Sequence, residues 1–130
     1  MQSIFEVQYK EIRDLVSKFT DSEVAPLAQK IDHEGKIPQD LINKLYEFGF
    51  MGSYIPEEYG GAGMNYSSYA IIVEEISRGC GSTGVLISAH TSLCMWPILS
   101  FGTEEQKKKY LPRLASEGVI GCFCLSEPNA

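Results

Sequence analysis

The sequence is poor in several features that mark common protein classes. No apolar run approaches the roughly 20 residues of a bilayer-spanning helix. The first residues, Met1-Gln2-Ser3-Ile4-Phe5-Glu6, lack both the charged-then-apolar order of a secretory signal and the Arg-rich, acid-poor character of an organelle transit peptide. These absences point to a cytosolic or matrix-type protein, or to a mature or trimmed one. Basic charge is scarce: 11 Lys and Arg stand against 17 Asp and Glu, with no basic run beyond Lys107-Lys108-Lys109. A nucleic-acid footprint is therefore not expected, and the acidity serves solubility. The two histidines, His33 and His90, are far apart. The four cysteines, Cys80, Cys94, Cys122 and Cys124, show neither C-x-x-C spacing nor the density of a disulfide scaffold. No metal site is expected, and all four cysteines read as buried and reduced.

What is present is helical periodicity. A chain of 130 residues, 44% hydrophobic, makes about one domain with a real core. Apolar residues at Ile12, Leu15, Val16 and Phe19, then Val24, Leu27, Ala28 and Ile31, follow the i, i+3, i+4, i+7 pattern of a long amphipathic helix. Pro26 lies inside it, so a kink or break is expected near Glu23, and Gly35 ends the segment. Ile37-Pro38 opens a second helix with proline in its first turn and an apolar face of Leu41, Ile42, Leu45 and Tyr46. Gly49 to Gly63 is too rich in glycine for a helix and shows no strand alternation, so it reads as a loop with apolar anchors.

Asn65 is placed to cap a third helix with a buried stripe of Tyr69, Ile72, Val73 and Ile76, leaving Glu74 and Glu75 at the edge or outside. Ser82 or Thr83 then caps a fourth, central helix through Val85, Leu86, Ile87, Ala89, Leu93 and Ile98, interrupted at Trp96-Pro97. Thr103-Glu104-Glu105-Gln106 has the form of a capping box, with Lys107-Lys108-Lys109 toward the negative end of the dipole. Pro112 limits that helix or starts another short one, and Glu117-Gly118 turns into Val119-Ile120-Gly121-Cys122-Phe123-Cys124-Leu125. This last run is too short for a helix and carries β-branched and aromatic residues, so it reads as a strand. No earlier segment reads as its partner, which leads us to expect that the natural protein continues past Ala130. The fold expected is all-α: a helical bundle of five or six helices over residues 1–118, with residues 119–130 opening a truncated β-domain. Leu15, Phe19, Leu41, Leu45, Ile72, Ile76, Leu86 and Leu93 are the expected core.

Four stretches in order carry a more specific signal. Ile55-Pro56-Glu57-Glu58-Tyr59-Gly60-Gly61-Ala62-Gly63, Glu74-Glu75-Ile76-Ser77-Arg78-Gly79-Cys80-Gly81-Ser82-Thr83-Gly84, Phe101-Gly102-Thr103-Glu104-Glu105-Gln106-Lys107-Lys108-Lys109-Tyr110-Leu111-Pro112 and Leu125-Ser126-Glu127-Pro128 together resemble the acyl-CoA dehydrogenase family. The resemblance covers essentially the whole chain and is nearest to the short-chain, butyryl-CoA-type branch. It implies an N-terminal helical domain followed by a middle β-domain and a C-terminal helical bundle. It also implies FAD as cofactor, α,β-dehydrogenation of an acyl-CoA, an electron-transfer flavoprotein as electron acceptor, and a homo-oligomer. The catalytic base implied by the family lies in the C-terminal domain, so this chain alone is expected to be inactive.

By the same resemblance, Phe123, Cys124, Leu125 and Ser126 are flavin contacts, through the aromatic ring, the main chain and the Ser126 hydroxyl. Val85, Ala89, His90 and Leu93 are candidates for the acyl pocket. Plain alternatives stand beside these roles: core packing for the pocket residues, and for Ser126 a cap on the turn before Pro128. Trp96 stands where short-chain relatives often carry glycine, and it either reshapes the pocket or fills a gap between helices. Gly60, Gly61 and Gly63 follow no strand and make no dinucleotide fingerprint. Two other readings are a non-catalytic helical assembly module and a flavin oxidase or monooxygenase with the same helical domain.

Overall fold

A computed structural model describes the backbone of residues 4–129 and the side chains from Tyr9 onward; Ala130 lies outside the described residues. Seven α-helical segments follow one another: α1 Ile4–Phe19, α2 Ala28–Glu34, α3 Gln39–Glu47, α4 Tyr66–Gly79, α5 Gly81–Ser88, α6 Trp96–Phe101 and α7 Glu104–Ala115. A π turn, Thr20–Val24, and a 3-10 turn, Ala25–Leu27, join α1 to α2 as one bent rod, while a π turn over Ala89–Met95 joins α5 to α6. Counted as rods, the helices number five. No strand forms among the described residues.

The first bend falls where the sequence places it. Pro26 cannot donate to the helical ladder, so the backbone widens just before it and tightens around it. Gly35 ends the rod at φ 62°, a left-handed conformation open to glycine. The Asn65 side chain accepts from the Ser68 N–H at 2.9 Å. Thr103 and Gln106 close a full capping box on α7.

One core joins Val16, Phe19, Val24 and Ile31 of the first rod to Leu41 and Leu45, Phe50 and Met51, Ile72 and Ile76, and Ile87. A second, smaller core sets Ile55, Tyr59 and Met95 against Leu111, Leu114 and Ala115. Across the α1–α4 contact, Arg13 bonds Glu74 at 2.7 Å and Glu75 at 2.6 Å, and Arg78 reaches Glu75 at 3.0 Å and Asp21 at 2.8 Å.

Several expectations are corrected. Glu75 is buried rather than at the edge, because two guanidiniums supply the partners a buried carboxylate needs. Leu15 and Leu93 are exposed, and Leu86 is half-buried. Periodicity identifies an apolar face but not whether the chain supplies something to cover it. Cys80, not Ser82 or Thr83, occupies the cap position of α5, and Thr83 is buried within the helix. Pro38 precedes α3 as its cap rather than lying in its first turn. Pro112 sits inside α7; the Lys108 carbonyl it leaves unpaired belongs to an exposed residue, where water can serve it. Cys122 and Cys124 are exposed thiols, and only Cys80 is fully buried. Residues 119–127 form no strand, since a lone extended segment has no ladder to join.

The α5–α6 rod is not central. Gly81–Phe101 is 21 residues long with mean hydropathy 1.4, so by length and composition it could cross a membrane, although no continuous apolar run does. Its packing is mixed: Ile87 and Met95 are buried together with Thr83, His90 and Thr91, while Val85, Leu93 and Phe101 face outward.

Candidate functional site

After α7 the chain turns through Gly118 and runs as an arm, residues 119–127, back over the bundle. Three hydrogen bonds seat its first part. The Val119 N–H donates to the Arg113 carbonyl at 3.3 Å, and the Tyr46 hydroxyl donates to the Val119 carbonyl at 2.9 Å. The Gly121 N–H donates to Nδ1 of His90 at 2.9 Å. The other ring nitrogen, Nε2, lies 3.0 Å from the Leu114 carbonyl. A carbonyl only accepts, so Nε2 carries the proton and Nδ1 is bare. Burial holds His90 below the ordinary imidazole range and pushes the neighbouring Tyr46 phenol up to about 12, so both are neutral.

Beyond Gly121 the arm is open. Phe123 is 50% and Leu125 73% exposed, and Cys124 and Ser126 are exposed with them. The four residues expected to meet a flavin therefore stand together on one projecting segment. The four acyl-pocket candidates do not form one lining. Val85 and Leu93 lie on the exposed face and Ala89 is half-buried, whereas His90 is fully buried with both nitrogens engaged.

A cavity of about 190 Å³ is lined by Tyr54, Tyr66, Tyr69, Thr91, Ser92 and Trp96. The Tyr54 and Tyr66 rings stack with centroids 4.1 Å apart, and the Trp96 indole N–H donates to the Tyr66 hydroxyl at 2.6 Å. Trp96 thus ties the α5–α6 rod to the start of α4. Sequence reading singled out Trp96 and placed Tyr69 on the buried stripe of its helix, but did not bring Tyr54 and Tyr66 to Trp96, because these three lie far from one another along the chain.

These groups can bind and orient, but they supply no free acid or base. Glu75 is the one buried carboxylate among the described residues. Burial raises its pKa, yet hydrogen bonds from Arg78 and Arg13 outweigh that and hold it below the ordinary value. It remains an ion-paired carboxylate. No cluster of His, Cys, Asp and Glu suited to a metal occurs among the described residues.

Comparison with known proteins places this geometry in context. Residues 7–118 match the acyl-CoA dehydrogenase N-terminal domain family. The chain is 49% identical over 119 residues to a short-chain specific acyl-CoA dehydrogenase of Clostridium acetobutylicum, covering 92% of this chain and 31% of that protein. The solved butyryl-CoA dehydrogenase of Megasphaera elsdenii superposes with a TM-score of 0.84 at 37% identity, over 94% of this chain and 33% of that one. An acyl-CoA dehydrogenase complexed with FAD from Bacillus anthracis gives 0.85 at 37% identity, over 95% of this chain and 21% of that one. The chain thus spans about a third or less of the length of these relatives.

Proposed function

Because this chain belongs to the acyl-CoA dehydrogenase family, whose members are flavoprotein oxidoreductases of fatty acid metabolism, we propose that it serves as the helical N-terminal part of an FAD-dependent dehydrogenase of a short or compact acyl-CoA. The observation that carries this reading is the open arm. An aromatic ring, a hydroxyl and a backbone free of any strand ladder are exposed on one segment, rooted at His90 on the rod that also exposes Val85 and Leu93. Such a segment fits a planar group with apolar faces and a hydrogen-bonding edge.

When bound, FAD would supply hydride acceptance. The residues of this chain bind and orient. Phe123 would pack against the ring and help exclude water, the main chain of Cys124 and Leu125 would pair with its polar edge, and the Ser126 hydroxyl would donate a hydrogen bond. Val85, Ala89 and Leu93 border the acyl group, and the similarity to short-chain and butyryl-CoA dehydrogenases favours a short one. His90 is withdrawn from that lining, since its ring is enclosed. The base that takes the α-proton lies outside this chain, which is inactive alone. The acyl-CoA substrate, an electron-transfer flavoprotein, a homo-oligomeric assembly and a cytoplasmic or mitochondrial-matrix location complete the proposal.

The test is Ser126→Ala in the whole enzyme. Losing one ordinary hydrogen bond, roughly 0.5–1.5 kcal/mol net, should weaken FAD several-fold and slow its reduction by substrate under anaerobic conditions. A residue that only caps the Pro128 turn would lower stability while leaving affinity and reduction rate at wild-type values in samples matched by circular dichroism. That result would remove Ser126 from the flavin site.

A further inference from the structure

We propose that His90 is a positioning residue for the arm: held as the neutral Nε2–H tautomer between α7 and Gly121, it fixes where Phe123–Ser126 meet the flavin. The inference rests on the flavin reading above and adds the element that sets the geometry of those contacts.

The ring is fully buried and uses both nitrogens, one on the last turn of α7 and one on the arm. It therefore ties three pieces of chain together: the π turn that carries it, the end of α7 and the arm two residues before Phe123. The tie has a fixed protonation state, because an imidazolium would turn an N–H toward the N–H of Gly121. A second, independent feature marks the same spot. A Cβ added at Gly121 would lie 2.3 Å from Sγ of Cys94, 2.9 Å from its Cβ and 3.1 Å from Cδ2 of Leu114. The arm thus seats against the bundle through a residue whose lack of a side chain permits the approach. The titratable groups against this junction are Cys122, whose backbone and thiol lie against Cys94, and two with raised pKa: Tyr46, whose ring meets the imidazole edge-on at 6.1 Å, and Cys94, whose thiol is pushed up first by burial. Both are neutral at physiological pH. A contact that only filled space would need neither a matched donor and acceptor nor a bare backbone at Gly121.

Two near-isosteres separate the two bonds. Asn places an amide oxygen near the position of Nδ1, so His90→Asn keeps an acceptor for Gly121 and loses the Leu114 contact. Gln reaches the position of Nε2, so His90→Gln keeps the Leu114 contact and loses the acceptor. Amide exchange at Gly121 is read by NMR on the 130-residue chain. FAD affinity is read by flavin-fluorescence titration of the whole apoenzyme, with Ser126→Ala in parallel.

For His90→Gln we expect Gly121 exchange to quicken and FAD to bind more weakly, each by about 2- to 12-fold, the range for one ordinary hydrogen bond. His90→Asn should stay near wild type in both. Gly121→Ala leaves the imidazole in place and should weaken FAD as His90→Gln does, with exchange in α4 unchanged. Equal effects of Asn and Gln on Gly121 exchange would overturn the proposal. So would faster Gly121 exchange in His90→Gln with unchanged FAD affinity while Ser126→Ala still weakens FAD; the flavin reading would then survive alone. Unchanged FAD affinity in both His90→Gln and Ser126→Ala would sink the flavin reading, and the positioning role with it.

Discussion

The α1–α4 contact and the α5–α6 rod differ in how many of their apolar residues they cover. In the first, Val16, Phe19, Ile72 and Ile76 are buried, and the charges at the margin pair as Arg13 with Glu74 and Glu75 and Arg78 with Glu75 and Asp21. In the second, Ile87 and Met95 point inward beside the polar Thr83, His90 and Thr91, while Val85, Leu93 and Phe101 face out. The first region is complete within the chain. The second has the composition of an interface, since contiguous exposed apolar surface marks a place where something docks. The contact holds the bundle together, while the rod adds Ile87 and Met95 to the core and leaves apolar side chains on its outer face.

The largest expected contrast comes from truncating one side chain in each region. Ile76→Ala should cost about 2–5 kcal/mol, because a fully buried methyl-bearing side chain leaves a cavity. Leu93→Ala should change stability by no more than about 0.5 kcal/mol, since that side chain is 47% exposed. Urea unfolding of the chain measures both. A Leu93 cost matching that of Ile76 would mean that the outer face is core after all, and the comparison would fail.

A smaller effect probes the charged margin. Glu75→Gln keeps shape and burial but leaves two guanidiniums short of a carboxylate, and should cost about 1–2 kcal/mol near neutrality, a figure reduced by the half-exposed arginines. The folded-state pKa of Glu75 lies below the ordinary 4.5. Its contribution is therefore fully present above that pH and is lost as pH falls through the lower folded value. Unfolding curves for wild type and Glu75→Gln should converge as the solution is acidified below pH 4.5. A gap that stays constant into strong acid would show that the carboxylate's charge is not what stabilises the contact.

Features set by near neighbours were legible in sequence, and those set by distant partners were not. Asn65, Gly35, Pro26 and the Thr103 to Gln106 box act through neighbours within a turn or two, so local chemistry sufficed. Glu75 was misplaced because its partner Arg13 sits 62 residues away, and nothing local distinguishes a paired carboxylate from a solvated one. Leu15 and Leu93 kept the right spacing but lacked a covering partner, which spacing cannot report. His90 was a pocket candidate through the family resemblance, and its burial depends on contacts that the sequence does not display. The π turn through Ala89–Met95 changes the helical register there, and both of its bonds go to backbone groups of distant residues. The flavin and acyl assignments came from motif resemblance, and no feature of composition or periodicity would have yielded them.

The smallest expected effect concerns the second tie of the arm. Tyr46→Phe keeps the ring against His90 and removes only the hydroxyl that donates to the Val119 carbonyl. That bond is exposed, so water can take over the carbonyl and the loss falls at or below the low end of an ordinary hydrogen bond, roughly 0.5 kcal/mol. Global stability should be unchanged within that margin, while the Gly121 amide should exchange no more than about twofold faster. The His90 tie has no such substitute, because its acceptor is enclosed and the buried site admits no ready replacement. Amide exchange of Tyr46→Phe beside His90→Gln measures the difference directly. If removing the phenol loosens Gly121 as much as removing the imidazole acceptor does, the arm is held by the sum of weak surface contacts, and the division between a seated root at Gly121 and an open tip at Phe123–Ser126 is lost.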